Sequence, residues 1–469
     1  MNLKISNLAQ IKDAHFEESD LVVIVGDNGT GKTLLLETIT LIKDYFTRNL
    51  DNMIDTYLEE NPNCIKVELD WEDLYKYYRA SKIEKFNDDK DSSSSLKRFK
   101  VEVEIQDTLE VNDYFSYKFK SVTEKITESI KEKVLFTEES NVKYELLDIP
   151  EVRDSYEYSS SFIMNDGFGI LISDIDNNHK NVVSSIFHIE SGEDFNQEDQ
   201  EDIEPVENYL PTLISAEDFK NKIFKNSQKN FLKLIFRNYF SDGKLLFLPS
   251  ERNLYMDNAL RKTLDQNYNK TKLRYSEFLF NKDYLEFQDL SKRFYKRIFS
   301  EELKKLFGGT LSFTDNGEVE SLTKTNGHII RRELFSTKQN RLLPYLIINN
   351  PFQNYKEIII EEPEAHMSLK SMNELLDFIK TLIKKKDKKV YLTTHSDVFF
   401  SRVNNFLISN NGISSKVYEL KEDGKESFLE SKIKTEYGYE IDLFTHELED
   451  LYQQTIELQN ENIDKLDEV

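Results

Sequence analysis

Residues 21–33 of the chain read LVVIVGDNGTGKT and are followed by LLLETITLIKDYF. The first five residues are apolar and mostly β-branched, which is typical of a buried strand, and the stretch after Thr33 has a helical pattern. Between them lies a GxxxxGKT sequence that consists of Gly26, Asp27, Asn28, Gly29, Thr30, Gly31, Lys32 and Thr33. A strand, a glycine loop and a helix in this order predict a loop that binds phosphate.

The residue types in this loop suit a nucleotide with its metal ion. Glycines let backbone N–H groups approach a β-phosphate closely, and the N-terminus of the following helix adds partial positive charge. We expect Lys32 to contact the β- and γ-phosphates and the Thr33 hydroxyl to bind Mg²⁺. The alternative is a glycine-rich turn without a ligand, but the flanking strand and helix favour phosphate binding.

Two later segments place polar residues at strand ends. In YKEIIIEEPEAHMS, residues 355–368, an apolar run ends in Glu361 and Glu362, and in KVYLTTHS, residues 389–396, a third strand ends just before His395. The carboxyl ends of parallel strands meet at one sheet edge, where a nucleotide would lie. We therefore expect Glu361 to hold Mg²⁺, Glu362 to polarise the attacking water, and His395 to reach the γ-phosphate as donor or positioner. A solvated acidic loop and a structural histidine are the alternatives.

These three segments, in this order, resemble the ABC-type ATPase superfamily, and within it the OLD-like and SMC-like branch known as AAA_15 or AAA_21. The matching pieces are the Walker A loop at 26–33, the Walker B strand with its catalytic glutamate at 358–368, and the H-loop histidine in LTTHS at 392–396. The resemblance implies an α/β fold of the P-loop NTPase type, an ABC-type head that uses ATP and Mg²⁺. It also implies a homodimer or higher homo-oligomer joined through the nucleotide faces.

In this superfamily the Walker A loop of one head faces an LSSGQ-like signature loop of the other. The signature-like residues here, acting in trans, are Ser336, Thr337, Lys338 and Gln339. Lys338 replaces a glycine, and its side chain removes the close backbone approach that glycine allows, so we expect slow or partner-stimulated hydrolysis. By the same resemblance Arg252, in LFLPSERN at 246–253, is a candidate nucleotide or interface contact; a surface arginine is the alternative.

Lys32 and Glu361 are separated by far more residues than a nucleotide-binding core needs, which predicts a large insertion. The expected parts are a discontinuous core at 1–50 and 241–435 with a helical subregion at about 254–307, a mixed β and helical insertion at 51–240, and a C-terminal acidic helix at 436–469. An acidic segment at 191–208 is interpreted as a solvated loop. A helix at about 215–240 carries several lysines between phenylalanines. This pattern suits a basic face that binds nucleic acid or an acidic partner. The alternative is a core helix whose lysines lie in water.

Composition excludes some kinds of protein and some kinds of site. With 62 Lys and Arg against 86 Asp and Glu, the formal net charge is −24. This charge disfavours a protein whose whole surface binds nucleic acid, although it is compatible with a local basic groove. The single cysteine, Cys64, excludes an intramolecular disulfide and a multi-cysteine zinc site, and fits the cytoplasm. The longest apolar runs are far short of the roughly 20 residues that cross a bilayer, so we expect no membrane partner.

The opening SNLAQIKDA resembles stand-alone ATPase subunits of prokaryotic phage-defence systems of the PARIS or Septu type. That resemblance implies a sensor or regulatory ATPase with a separately encoded effector, such as a TOPRIM-type or HNH nuclease; the stretch after His395 is too short for a fused TOPRIM domain. Two alternatives stay open. One is a RecF/SMC-like DNA-repair ATPase, and the other is a nucleotide-gated scaffold with little turnover.

Overall fold

A computed structural model describes residues 1–87, 96–137, 139–165, 168–174, 182–188, 215–240, 243–250, 274–298, 300–314, 318–350, 353 and 355–467. The strands are β1 Asn2–Leu8, β2 Ile11–Glu17, β3 Leu21–Gly26, β4 Ile65–Glu68, β5 Leu96–Ile105, β6 Lys143–Leu147, β7 Ser155–Asn165, β8 Phe168–Asp174, β9 Val182–His188, β10 Lys244–Leu248, β11 Gly309–Phe313, β12 Val319–Lys324, β13 Ile329–Arg331, β14 Tyr355–Glu361, β15 Lys389–Thr394, β16 Ser415–Asp423 and β17 Glu426–Lys432. The helices are α1 Lys32–Glu60, α2 Trp71–Asn87, α3 Thr108–Ser121, α4 Thr123–Ile130, α5 Ala216–Phe240, α6 Tyr275–Ile298, α7 Glu301–Phe307, α8 Thr337–Leu342, α9 Leu369–Lys386, α10 Asp397–Ser409 and α11 Asp442–Asp467. Lys131–Leu135 forms a π-helical turn, and Arg332–Leu334 and Leu343–Asn349 form 3₁₀ turns.

The chain divides into two compact units. The first comprises residues 1–45, 122–148 and 243–469, and the second comprises residues 46–121 and 149–242. These bounds differ from the uninterrupted insertion expected at 51–240, because 122–148 cluster with the first unit. The reason is strand pairing, since β6 runs antiparallel to β1 at the edge of the first unit's sheet.

The first unit is built on a nine-stranded sheet in the order β10-β14-β15-β3-β16-β17-β2-β1-β6. Its strands β10, β14, β15, β3 and β16 are parallel. The parallel arrangement predicted for the three motif-bearing strands β3, β14 and β15 is confirmed. All six residues of β3 are buried. Glu361 is paired with Thr393, and Thr394 with Val25, so the strands end at the same level. The register therefore brings the three predicted motifs to one edge of the sheet.

Helices α9 and α10 connect the central strands and start directly at this edge. Ser368 caps α9 by accepting from the Ser371 amide, and Ser396 caps α10 by accepting from the Phe399 amide. The inner face of α9 buries Leu375, Ile379 and Leu382 completely. Burial of each such side chain contributes about 1.5 to 3 kcal/mol, which fixes the helix on the sheet.

A buried ion pair attaches α1 to the strands beneath it. The Lys43 ammonium contacts the carboxylates of Glu18 and Glu357, and it donates to the Tyr391 hydroxyl at 3.1 Å. Lys43 is fully buried. Removal of one partner from such a pair typically costs about 3 to 5 kcal/mol, so the network holds α1, and with it Lys32 and the glycine loop, in a fixed orientation.

The second unit contains an antiparallel sheet in the order β4-β5-β7-β8-β9. The predicted helix at 215–240 is confirmed as α5, and its apolar residues, including Phe219 and Phe231, are buried. Two of its lysines are bound within the unit, because Lys229 pairs with Asp55 and Lys233 pairs with Asp51. This arrangement is that of a core helix.

Two further predictions concern the helical pattern at about 275–307 and the acidic segment at 191–208. The helical pattern at about 275–307 forms two helices, α6 and α7, because Ser300 caps α7 by accepting from the Leu303 amide. The acidic segment at 191–208 lies outside the described residues. In the part of the chain that the structure covers, no helix is both long enough and apolar enough to cross a bilayer.

Candidate nucleotide-binding site

The loop between β3 and α1 has a backbone path that requires glycine at two positions. A Cβ on Gly26 would lie 3.0 Å from the Leu420 carbonyl oxygen on the neighbouring strand β16. Gly31 has φ +102°, a region that L-residues rarely adopt, and its Cβ would lie 3.0 Å from Ile11 Cδ1. The sequence signal at these glycines therefore corresponds to a real steric need.

The Lys32 side chain lies within this loop. Its Nζ donates to the carbonyl oxygens of Gly26 and Asp27, both at 2.7 Å. Burial lowers the pKa of Lys32, while nearby carboxylates, led by Glu362, oppose that shift. Lys32 is thus a buried cation that faces both the loop and the acidic strand end.

The two predicted magnesium ligands, Thr33 and Glu361, lie together. Glu361 is almost fully buried at the end of β14, and its Oε2 accepts from the Ser250 amide at 3.1 Å. Burial raises the pKa of Glu361, and a hydrogen bond with the Thr33 side chain acts in the opposite direction. A hydroxyl and a carboxylate are hard oxygen ligands, so this donor pair fits Mg²⁺.

Glu362 and His395 are also in contact. The Glu362 Oε1 atom lies 3.1 Å from His395 Nδ1. Their side chains are 29% and 42% exposed, so solvent and a ligand can reach both. Glu362 has φ +42°, and its amide donates to the Thr393 carbonyl at 3.2 Å. The structure therefore places the predicted catalytic carboxylate and the predicted histidine side by side at the sheet edge.

The signature-like residues lie elsewhere in the first unit, at the start of α8. Ser336 caps α8 by accepting from the Gln339 amide, and the Gln339 side chain accepts from the Ser336 amide at 2.8 Å, which makes a capping box. Thr337 is the first residue of the helix. Lys338 Nζ donates to Ser371 Oγ at 2.7 Å. A role of this segment in trans stays a prediction.

Arg252, the remaining residue singled out from the sequence, lies outside the described residues.

Two residues that have no predicted role from the sequence lie close to the strand ends. Glu364 is buried and accepts from the Thr394 hydroxyl at 2.5 Å, and burial raises its pKa to about 6. Arg274 binds Glu277 through its Nε at 3.0 Å. Against the lowering effect of burial, the charges of Glu277 and Glu361 raise the pKa of Arg274.

A sequence signal exists for only one of these two residues. Glu364 lies inside the EEPEAH stretch, two residues after the predicted catalytic Glu362 and three after the predicted magnesium ligand Glu361, so its proximity to the site could have been anticipated. Arg274 lies in no motif, and only the packing of α6 brings its charge near Glu361.

Comparison with known proteins identifies one family. The AAA_15 family, described as "AAA ATPase domain", matches residues 1–400. No curated protein matches the chain.

Several solved structures resemble the chain at low identity. One is the SmcHead bound to the C-winged helix domain of ScpA, which is 14% identical, with 92% of this chain and 96% of that chain covered and a TM-score of 0.35. Another is the Smc head domain with an extended coiled coil bound to the C-terminal domain of ScpA, from Pyrococcus furiosus, at 14% identity, 98% and 98% coverage and a TM-score of 0.33. A third is the SMC head domain from Thermotoga maritima, at 9% identity, 92% and 97% coverage and a TM-score of 0.30.

Proposed function

The chain belongs to the AAA_15 family of AAA ATPase domains, and from this membership we propose that it binds ATP with Mg²⁺ and hydrolyses it at the ends of β3, β14 and β15. The observation that carries the proposal is the convergence of three groups at one sheet edge. These groups are the Lys32 ammonium in its glycine loop, the Thr33 and Glu361 oxygens, and the Glu362 and His395 pair.

Phosphate binding begins with Lys32. In the free loop its ammonium donates to two neutral carbonyl oxygens, and the triphosphate offers charged oxygens that replace them. The backbone N–H groups of the loop and the N-terminus of α1 add further positive potential. Thr33 and Glu361 would hold Mg²⁺, which would supply positive charge to the triphosphate.

Hydrolysis depends on Glu362. Its partly exposed carboxylate orients the attacking water and accepts the water's proton. His395, which contacts the Glu362 carboxylate, orients it. We propose that the same imidazole also contacts the γ-phosphate of bound ATP. Positioned acid–base groups of this kind contribute about 10²-fold to 10⁴-fold to the rate.

The first test measures phosphate release by the purified chain with ATP, with and without Mg²⁺. The proposal expects release that needs both, and release that is lost in Glu362→Gln while ATP binding is retained. Glu426→Gln is the matched control, since Glu426 is exposed and pairs with Lys12 on the surface. Equal turnover in wild type and Glu362→Gln would refute the role of Glu362.

We also propose that ATP joins two or more heads through their nucleotide faces, with the segment at 335–339 acting in trans. The Glu362→Gln chain should then accumulate as a larger, ATP-bound assembly on size-exclusion chromatography. If that variant binds ATP and elutes at the monomer position at all protein concentrations tested, assembly through the nucleotide faces is rejected.

The cellular role that we propose is that of a sensor or regulatory ATPase in a prokaryotic anti-phage system, acting in the cytoplasm with a separately encoded effector. The support is the resemblance of SNLAQIKDA and the three ATPase motifs to such subunits. A plaque assay with the native operon tests this role, because Lys32→Ala should abolish protection. Protection that survives in the variant, or an operon that never protects, would argue against it.

The RecF/SMC-like alternative predicts DNA-stimulated hydrolysis that falls steeply with salt. One observation counts against α5 as its DNA-binding face, because Lys229 and Lys233 already bind aspartates of the second unit. The scaffold alternative predicts ATP binding with no more hydrolysis in wild type than in Glu362→Gln.

A further inference from the structure

The turn that follows β14 contains Glu364, a buried acid that takes no part in the proposed phosphate and water contacts. Residues 362–368 leave the strand with two non-glycine residues in the left-handed region, Glu362 at φ +42° and His366 at φ +62°. Such torsions cost of the order of 1 kcal/mol or more and persist only where surrounding contacts impose them. The turn must therefore be held in place by specific bonds.

Several hydrogen bonds join this turn to the end of β15, among them one from the Glu362 amide to Thr393 Oγ1 at 3.3 Å. The Glu362 amide donates to the Thr393 carbonyl, and the Thr394 hydroxyl donates to Glu364 Oε1 at 2.5 Å. Thr394 is fully buried and also accepts from the Ser396 amide at 3.0 Å. The residue between Thr394 and Ser396 is His395, so the same hydroxyl fixes the backbone on both sides of the histidine.

Fold stability does not account for a carboxylate at this position. Glu364 is 6% exposed, and no described residue donates a hydrogen bond to its Oε2 atom. A buried carboxylate oxygen without a donor costs stability. The useful contribution of Glu364 is therefore the bond through its other oxygen, which connects the turn carrying Glu362 with the strand end carrying His395.

We propose that Glu364 is a positioning residue, which through its hydrogen bond to Thr394 holds the turn after β14 against the end of β15 and keeps Glu362 beside His395. The inference rests on the proposed hydrolysis of ATP. Glu364 does not touch the reacting atoms in this account. It sets the geometry of the two residues that do, and misplacement of reacting groups by about 1 Å can lower a rate by about 100-fold.

The test compares kcat and KM for Mg²⁺-ATP in the full chain. Glu364→Ala and Thr394→Val each remove the bond and should lower kcat by about 10-fold to 100-fold, with KM within about 2-fold of wild type. Thr394→Val also removes the acceptor of the Ser396 amide, so it can be the slower of the two. The double variant should be no slower than the slower single variant, because the Glu364–Thr394 bond is the contact that both changes remove. Glu364→Gln and Thr394→Ser retain an acceptor and a hydroxyl respectively, and should restore kcat to within about 3-fold of wild type.

A matched control is Thr40→Val, because Thr40 is fully buried in α1 and its hydroxyl donates to the Leu36 carbonyl within the same helix. It should leave kcat unchanged. If Glu364→Ala does not fold, the Thr394→Val, Thr394→Ser and Glu364→Gln chains decide the question by the same criteria.

The inference is overturned if Glu364→Gln is as slow as Glu364→Ala, if the losses add in the double variant, or if the effect is confined to KM. If wild type hydrolyses ATP and Glu364→Ala and Thr394→Val are equally fast, the inference alone is refuted. A wild type without turnover refutes the proposed function, and the inference with it.

Discussion

The glycine loop at 26–33 and the signature-like segment at 335–339 each place a lysine at the start of a helix, but the two lysines have different partners. Lys32 Nζ donates to two neutral backbone carbonyls of its own loop. Lys338 Nζ binds Ser371 and lies 3.3 Å from the Glu374 carboxylate on α9. A phosphate oxygen can replace the neutral carbonyls at little cost, whereas it must compete with a full negative charge at Lys338.

The difference shows that a lysine beside a helix start is not by itself an anion site. Whether its ammonium is available to a phosphate depends on the groups that the ammonium already binds. Lys338 stands where the signature pattern has glycine, but its contacts with Ser371 and Glu374 on α9 depend on tertiary packing and have no signal in the sequence.

The largest effect is expected from Lys32→Ala. The change deletes the buried countercharge for the phosphates, and charge-assisted hydrogen bonds contribute about 1.5 to 3 kcal/mol each, so ATP affinity should fall by about 100-fold or more. Isothermal titration with ATP and Mg²⁺ measures it. The control is Lys12→Ala, which removes an exposed lysine that pairs with Glu426. Unchanged ATP affinity in Lys32→Ala would remove the glycine loop from the nucleotide site.

A smaller effect is expected one helical turn after Thr33, at Glu37. This carboxyl is buried and accepts from the Ser276 hydroxyl at 2.5 Å, and burial raises its pKa from 4.5 to about 7. A raised pKa means that the stability it supports is complete below about pH 4.5 and is lost as pH rises through about 7.

Glu37→Gln should therefore match wild type at pH 4 and exceed it in unfolding free energy at pH 8 by about 3 kcal/mol. Urea denaturation of the nucleotide-free protein at the two pH values measures the difference. Equal stability of the two chains at pH 8 would show that burial does not raise the pKa of the Glu37 carboxyl. The charge of Glu37 would then be compensated in the fold, as that of Lys338 is.

The smallest effect is expected from Lys338→Ala. Surface ion pairs contribute about 1 kcal/mol or less, so the unfolding free energy should change by no more than that. ATP affinity should stay within about 2-fold and turnover within about 3-fold, because the ammonium is bound to α9. A turnover loss of more than about 10-fold would show that Lys338 leaves Ser371 and Glu374 for a phosphate, and the comparison of the two lysines would fail.

Much of the first unit could be predicted from the sequence, because its signals are local. The apolar runs at 21–25, 357–360 and 389–393 became β3, β14 and β15, and each is short, continuous and bounded by polar residues. Their parallel arrangement was predicted from the polar motif residues that follow each strand. The α/β fold is therefore confirmed.

The parts that could not be predicted depend on contacts between distant segments. Pairing of β6 with β1 assigns 122–148 to the first unit, and no pattern in those residues indicates it. The helix α3, Thr108–Ser121, was not identified either; its buried residues Val111, Phe115 and Phe119 recur at helical spacing, but the surrounding polar composition obscured them.

The candidate site divides in the same way. Glycine torsions and strand-end carboxylates follow from local sequence, so the loop, Glu361, Glu362 and His395 could be proposed directly. Glu364 and Arg274 could not be assigned roles, because the Thr394 bond and the charge of Glu361 reach them only through tertiary packing.

We propose that Glu362, held beside His395, activates the water that hydrolyses ATP bound by the glycine loop. A single-turnover experiment tests this role: excess protein is loaded with radiolabelled ATP, Mg²⁺ is added, and the conversion of bound ATP to ADP is followed in wild type and Glu362→Gln. We predict conversion in wild type and a rate lower by about 100-fold or more in the variant, with the same amount of ATP bound. Equal rates in the two chains, or no conversion in wild type, would contradict the claim.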